Sequence, residues 1–415
     1  LLEECDGVNL ADTTCQSLGF ASGTLACAAN CHFDFESCSD CSALDTSLVR
    51  CGRAPTTVIA PTSLGLAATD AEVGLAWVGH DTPSEGASIR FARLEPNLDL
   101  ISSTKLEDDC GAFGVSAAVL PSGWLVGIYA HHYVVEEGRG IQYWGDEAYV
   151  HALDTQGRPT GRTTVAKLPP SEPGYIIGPV VAEQPGGGPL IAWAGDGKAV
   201  GHGLHVAVVS GDGRSVTQPI EVPIDTLVPL SAAFVQDSFY VAAGGLNNNL
   251  QLVRVARDGS SASLIDALPG EQVEHPALVQ GADDLRIIYD GPLPDFSAWP
   301  PMWRRISPAG EGVSPAISLS TRSGPALGLA FGPETFAVLG RGLPGWSQPV
   351  GERGSALAVA RVTADAGVVS SADEFAKVAF IRQYHAVRRG TDAVIAWLGG
   401  GPMQVDHIGI ARLTP

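Results

Sequence analysis

Over residues 392–415 the chain reads DAVIAWLGGGPMQVDHIGIARLTP. An apolar run closes near Trp397, a Gly-rich turn follows, and residues 408–413 then alternate as a half-buried strand does. The same grammar recurs upstream at a spacing of about 50 residues. Each earlier copy carries one more strand after its second run, and this last copy does not.

The apolar runs are the clearest markers: residues 73–79 (VGLAWVG), 124–130 (WLVGIYA), 189–195 (PLIAWAG), 239–245 (FYVAAGG), 285–291 (LRIIYDG), 335–342 (TFAVLGRG) and 393–399 (AVIAWLG). Alternating third runs follow them, such as IRFARLE at 89–95 and LHVAVVS at 204–210. Several then turn through DG pairs, as at Asp212-Gly213 and Asp258-Gly259, which suit tight hairpins. A continuous apolar strand belongs in a sheet buried on both faces. One four-stranded sheet cannot cover both of its own faces, so seven copies must stack around an axis. The reading is an all-β fold, a seven-bladed β-propeller, preferred over a pair of β-sandwiches, between which seven similar units divide awkwardly.

The missing strand predicts the closure. Residues 56–59 (TTVI) are β-branched, precede the first copy and have no other assignment. They are expected to supply the outermost strand of the last blade, since an open ring would leave an unsealed blade contact. The propeller is thus expected over residues 51–415, after a small module over residues 1–50.

That module holds Cys5, Cys15, Cys27, Cys31, Cys38 and Cys41; Cys51 follows at once, and Cys110 stands alone. Its large apolar residues, Phe20, Leu25 and Phe33 among them, are too few to drive folding unaided. Disulfides are favoured over zinc, because a zinc set at Cys27, Cys31, Cys38 and Cys41 leaves Cys5, Cys15 and Cys51 without a role. Pairing within the first six is left open; Cys51 is expected to bridge Cys110 across the closure. Asp6, Asn9 and Asp12 lack the spacing of a calcium loop and read as a polar turn.

The run Cys5-Asp6-Gly7, Cys15-Gln16-Ser17-Leu18-Gly19-Phe20, Gly23-Thr24-Leu25-Ala26-Cys27, Cys31 with Phe33-Asp34, and Cys38 resembles a short cysteine-rich module of secreted and surface proteins of myxobacterial type. The resemblance covers about a tenth of the chain and implies an exported, multi-module protein, with no catalytic residues to carry over. Cysteine density also predicts an oxidising compartment, secreted or at the cell surface. The chain begins at Leu1 with no signal-peptide core, as expected after removal of an export signal. No apolar run approaches the roughly 20 residues of a membrane helix, so no membrane span is expected.

The formal charge of −20 argues against a broad basic surface for nucleic acid. Long segments gather between second and third strands, at residues 130–147 (AHHYVVEEGRGIQYWGDE), 292–301 (PLPDFSAWPP) and 343–354 (LPGWSQPVGERG). They share one face, where function is usually housed. Candidate binding residues there are Tyr133, Tyr143, Trp144, Trp299, Trp346 and His131, with His385 from a first strand. Trp303 beside a variable loop is a further aromatic candidate, whereas Trp77, Trp193 and Trp397 recur at equivalent positions and read as blade core. Adjacent His131 and His132 on a strand point to opposite sides and cannot share one metal; no metal or cofactor is expected. The leading expectation is an extracellular binding protein that presents this face to a glycan or protein partner. The alternative is a secreted polysaccharide-active enzyme, lyase before hydrolase, with its site at the channel mouth near His131, His132, Tyr133, Tyr143, Tyr384 and His385.

Overall fold

The computed structural model describes the chain except for residues 1–4, 6–8, 11–12, 19, 28–32, 35–36, 42–47, 55–58, 81–86, 109–110, 137–139, 170–173, 225–230, 245–249, 269–271, 281–283, 292–299, 321–325, 333, 342–354, 364–372, 379, 402–403 and 415. Seven four-stranded antiparallel sheets are arranged as the blades of a propeller. Blade one comprises Ile59–Ala68, Val73–His80, Ser88–Leu94 and Leu100–Asp108. Blade two comprises Ala112–Leu120, Gly123–Glu136, Gly140–Asp154 and Pro159–Lys167. The second strands of the remaining blades are Leu190–Gly197, Ser238–Gly244, Leu285–Asp290, Glu334–Arg341 and Asp392–Gly401, each where an apolar run placed it.

Packing follows from that pattern. A distinct cluster of buried side chains fills each of the seven joints between neighbouring blades. Trp77, Trp193 and Trp397 lie within these clusters, almost wholly buried. Trp303 does too, its Nε1 donating to Thr335 Oγ1 at 3.0 Å, so it is core and not a surface platform. First strands of adjacent blades approach closely: a β-carbon on Gly65 would meet the backbone of Ser116 at 2.8 Å.

Each first strand pairs on one side only, leaving backbone groups on its inner edge. Side chains of the neighbouring blade meet them. Ser63 Oγ accepts from Val115 N at 3.0 Å, Glu183 Oε1 from Val119 N at 2.8 Å, and Ser231 Oγ from Leu278 N at 2.9 Å.

The ring closes by joining chain ends, but through a different strand from the expected one. Leu48–Arg53, not residues 56–59, pairs antiparallel with Gln404–Leu413 as the outermost strand of blade seven. Ile59 opens the first strand of blade one, and residues 55–58 lie outside the described residues. The reason is reach. From the outermost strand of one blade to the innermost of the next, the chain crosses at least three strand spacings, about 14 Å. The six steps from Arg53 to Ile59 span up to about 20 Å; a closing strand at 56–59 would leave none.

The disulfides are Cys5–Cys27, Cys15–Cys38 and Cys41–Cys51. The third replaces the expected Cys51–Cys110 bridge, because Cys41 is pinned to the outermost strand of the adjacent blade six: it forms a β-bridge with Ala376, and Asp40 O accepts from Lys377 N at 2.6 Å. Cys31 and Cys110 lie outside the described residues. The N-terminal segment packs onto blades six and seven, with Phe20 and Leu25 in one cluster with Phe336, Phe375 and Trp397. Buried Asp40 accepts from Trp397 Nε1 at 2.9 Å and pairs with His407 Nε2 at 2.6 Å. Gly409 makes room for that indole, since a β-carbon there would enter the Trp397 ring.

A disulfide closing about ten residues contributes about 3 kcal/mol on the chain-entropy estimate, comparable to one or two buried large side chains. Burial at the joint between blades seven and one therefore closes the ring, and the disulfide staples it. A chain starting at residue 48 should keep a cooperative melt, whereas one starting at residue 54 should melt far lower by calorimetry; equal melting temperatures would refute the closing strand. Asp40→Ala in the full chain should cost about 3 kcal/mol by leaving two buried donors without their acceptor.

Candidate functional site

Among the described residues, the most prominent feature of the face with the second-to-third connections is built by blade two. The expected loop over residues 130–147 is mostly strand. Gly123–Glu136 and Gly140–Asp154 run on as a two-stranded ribbon, with Tyr133 opposite Tyr143, Val134 opposite Gln142 and Val135 opposite Ile141. The register pairs bring together aromatic and β-branched residues, Tyr133, Val134, Val135, Ile141 and Tyr143, which favour pairing over loop. The second strand is six residues longer than that of blade one, Val73–His80, so the ribbon extends about 20 Å further. Trp144 lies in its returning strand.

The ribbon is anchored at its root. His131 and Asp146 are register partners, and His131 Nδ1 bonds to Asp146 Oδ1. Asp146 is buried, and its Oδ2 accepts from Ile176 N of blade three at 2.8 Å. A carboxylate on Nδ1 fixes the proton there in the neutral ring, so Nε2 accepts from Tyr129 Oη–H at 2.7 Å. On the outer side, Glu147 accepts from Thr164 Oγ1 at 2.6 Å and from Arg162 Nη1 at 3.2 Å. Burial pushes the Glu147 carboxyl up, but these two partners outweigh it and hold its pKa below the ordinary value. Arg162 also lies 3.8 Å over the Tyr149 ring.

Histidine–carboxylate pairing recurs around the ring. Blade three places His202 Nδ1 3.0 Å from Asp196 Oδ1, at the register positions equivalent to His131 and Asp146 with the residue types exchanged. Blade five places His275 Nδ1 3.0 Å from Asp290 Oδ2, His275 standing in the left-handed region at φ 45°. In blade seven the carboxylate on His407 is Asp40 of the N-terminal segment. The first three pairs are each made within one blade, and the fourth joins the two ends of the chain. Among the described residues, no group of three or more His, Cys, Asp or Glu comes together to hold a metal ion.

His385 sits on the first strand of blade seven, Phe380–Arg389, away from the ribbon. Its Nε2 accepts from Gln383 Nε2 at 2.9 Å. Gln383 in turn clasps blade one, its Oε1 accepting from Leu64 N at 3.2 Å and its Nε2 donating to Leu64 O at 3.4 Å. Burial pushes the His385 pKa down to about 4. Burial also pushes up Tyr384, whose hydroxyl reaches Val338 O at 3.4 Å. Side chains of Tyr133, Tyr143 and Trp144, and all of Trp299 and Trp346, lie outside the described residues. The sequence reading missed Tyr129 and Asp146 as partners of His131. Their signal was the two-residue alternation that places 129 and 131 on one side of a strand.

No family model matches the chain, and no curated protein matches it. Among solved structures, a protein of unknown function from Dyadobacter fermentans DSM 18053 is similar at a TM-score of 0.50 and 10% identity, over 88% of this chain and 98% of that one. The phage phi92 endosialidase is similar at a TM-score of 0.50 and 8% identity, over 91% of this chain and 69% of its own. The β-propeller domain of the Trilobed protease from Pyrococcus furiosus aligns at a TM-score of 0.49 and 8% identity, over 86% of this chain and 94% of that one. At these identities the first two share the fold, and chemistry does not transfer with it.

Two half-buried groups give the fold opposite pH responses. His385 titrates near 4 folded and near 6.5 unfolded. Stability should therefore fall as pH drops from 6.5 to 4, where only the unfolded chain takes the proton. Burial raises Glu183 to about 7, against its ordinary 4.5. Its cost appears as pH rises above 4.5 and is complete near 7. In melting temperature against pH, His385→Gln should flatten the acid limb and Glu183→Gln should raise the neutral plateau; curves parallel to that of the unmodified protein would refute both assignments.

Proposed function

We propose that the protein is an extracellular binding protein whose blade-two ribbon meets a glycan or protein partner. The observation that carries this reading is the ribbon itself: a paired, rooted strand extension bearing Tyr133, Tyr143 and Trp144, on a face where connecting segments of other blades also gather. Tyrosine and tryptophan combine apolar area with a polar handle and suit either partner. Three disulfides support an oxidising compartment. No helix among the described residues is long and apolar enough to cross a membrane.

Dispersal favours binding over catalysis. Acid–base chemistry needs groups converging on one reacting atom, whereas His131, His202 and His275 each pair with a carboxylate of their own blade. Among the described residues, the blade-two guanidinium groups are engaged at the outer side, Arg158 with Asp154 and Arg162 with Glu147 and Glu107. A second reading, a polysaccharide-active enzyme, rests on the Tyr129–His131–Asp146 chain, in which a base oriented by a carboxylate contacts a phenol. Tyr129 is 9% exposed, which fits a rooting group better than a proton donor to substrate.

Replacing Tyr133 and Tyr143 by Ser should abolish binding to neutral glycans on an array while melting stays within a few degrees. Binding that survives the double change would sink the ribbon reading. Turnover of an acidic polysaccharide that is lost in His131→Ala, with the fold intact, would instead establish the enzyme.

A further inference from the structure

The opposite face carries a second site candidate, on blade four. A groove of about 620 Å3 opens where the turn between its first two strands meets the turn between its last two. Arg254 and Arg257 line it, with Asp237, Asp258 and several serines. In a chain of formal charge −20, two guanidinium groups in one hydroxyl-lined groove stand out.

The groove's charges are not equally engaged. Arg257 Nη1 bonds to Asp237 Oδ1 at 3.1 Å, and its guanidinium lies 5.9 Å from the Phe234 ring centroid. Gln184 Oε1 also accepts from Arg257 Nη2 at 3.0 Å. Asp258 is turned into its own loop, where Ser260 N donates to Oδ1 at 3.0 Å and the Ser260 hydroxyl helps hold the carboxyl below its ordinary pKa. Both carboxylates are thus satisfied locally. Arg254 differs. Its Nε donates to the buried Ser238 Oγ at 3.0 Å, which fixes the guanidinium plane. Among the described residues, its two terminal nitrogens have no acceptor. Ser263 is the register partner of Arg254 on the outermost strand, and neither its hydroxyl nor that of Ser261 has a partner among the described residues.

We propose that this groove binds an acidic saccharide, with a carboxylate or sulfate oxygen pair on the Arg254 fork and sugar hydroxyls on Ser261 and Ser263. A fork held by its Nε matches two oxyanion oxygens side by side. Serine hydroxyls both donate and accept, as sugar hydroxyls require. The volume suits a ligand of disaccharide size rather than an isolated anion. The site lies on the face opposite the blade-two ribbon and is independent of it.

The test is calorimetric titration of the full chain with digalacturonate, a sulfated disaccharide, maltose and sodium sulfate. Binding of either acidic disaccharide at least tenfold tighter than maltose or sulfate supports the proposal, and which one binds identifies the anionic group. Arg254→Gln should weaken binding about tenfold or more, and Arg254→Lys should recover only part of it. Failure of both acidic disaccharides to bind overturns the proposal. So do equal affinities for maltose, equal affinities for bare sulfate, or an Arg254→Gln chain that folds and binds unchanged.

Discussion

The carboxylate of Asp40 ties three parts of the chain at one point. It accepts from the indole of Trp397 and bonds to His407, both in blade seven, while its backbone carbonyl accepts from Lys377 in blade six. Cys38 and Cys41 flank it, each in a disulfide. A propeller has one joint that continuous chain cannot make, where the last blade meets the first. That joint needs a fourth strand for blade seven. Asp40 holds the segment leading to that strand, Cys41–Cys51 tethers it, and Arg50 extends it by an ion pair to Asp99 of blade one at 2.7 Å. The exposed Arg50 pair adds little energy; the buried cluster of Leu64, Trp77, Leu398 and Ile410 beneath it does most of the sealing.

Blade count and second-strand positions were legible because they depend on one strong signal, continuous apolar runs bounded by Gly. The closing strand was harder. LVRCGR at 48–53 has only two large apolar residues, since an outermost strand is covered on little of its surface, whereas TTVI at 56–59 looks more strand-like on propensity alone. Propensity lost to chain reach. Trp303 was misplaced for a related reason: in MWRRISP the neighbouring arginines suggest surface, yet alternation turns Trp303 inward to Thr335.

The site was legible in composition and not in shape. His131, Tyr133, Tyr143 and Trp144 were marked from residue type, but reading Gly and His as loop hid the strand pairing of Tyr133 with Tyr143. Partnerships across a hairpin are invisible until its register is known. Once His131 is set opposite Asp146, the carboxylate, imidazole and phenol follow in order. Asp40 lies more than 350 residues from both of its blade-seven partners, and no local pattern could have joined them.

Several polar groups that resemble catalytic machinery have a plainer origin in the ring. The first strand of every blade is an edge strand, so its inner N–H groups need acceptors from outside its own sheet. Ser63, Glu183, Asp146, Ser231 and Gln383 supply them for Val115, Val119, Ile176, Leu278 and Leu64 in turn. The acceptors differ in chemistry, and the difference sets the pKa pattern. A serine or glutamine does the work without charge, whereas Glu183 brings a carboxyl into a site that favours the neutral acid. His385 is held neutral in the same way, as the acceptor that completes the Gln383 clasp. Perturbed groups at the axis therefore mark how the blades are joined. Groups left with unfinished hydrogen bonding among the described residues, such as the Arg254 fork, are better guides to what the protein binds.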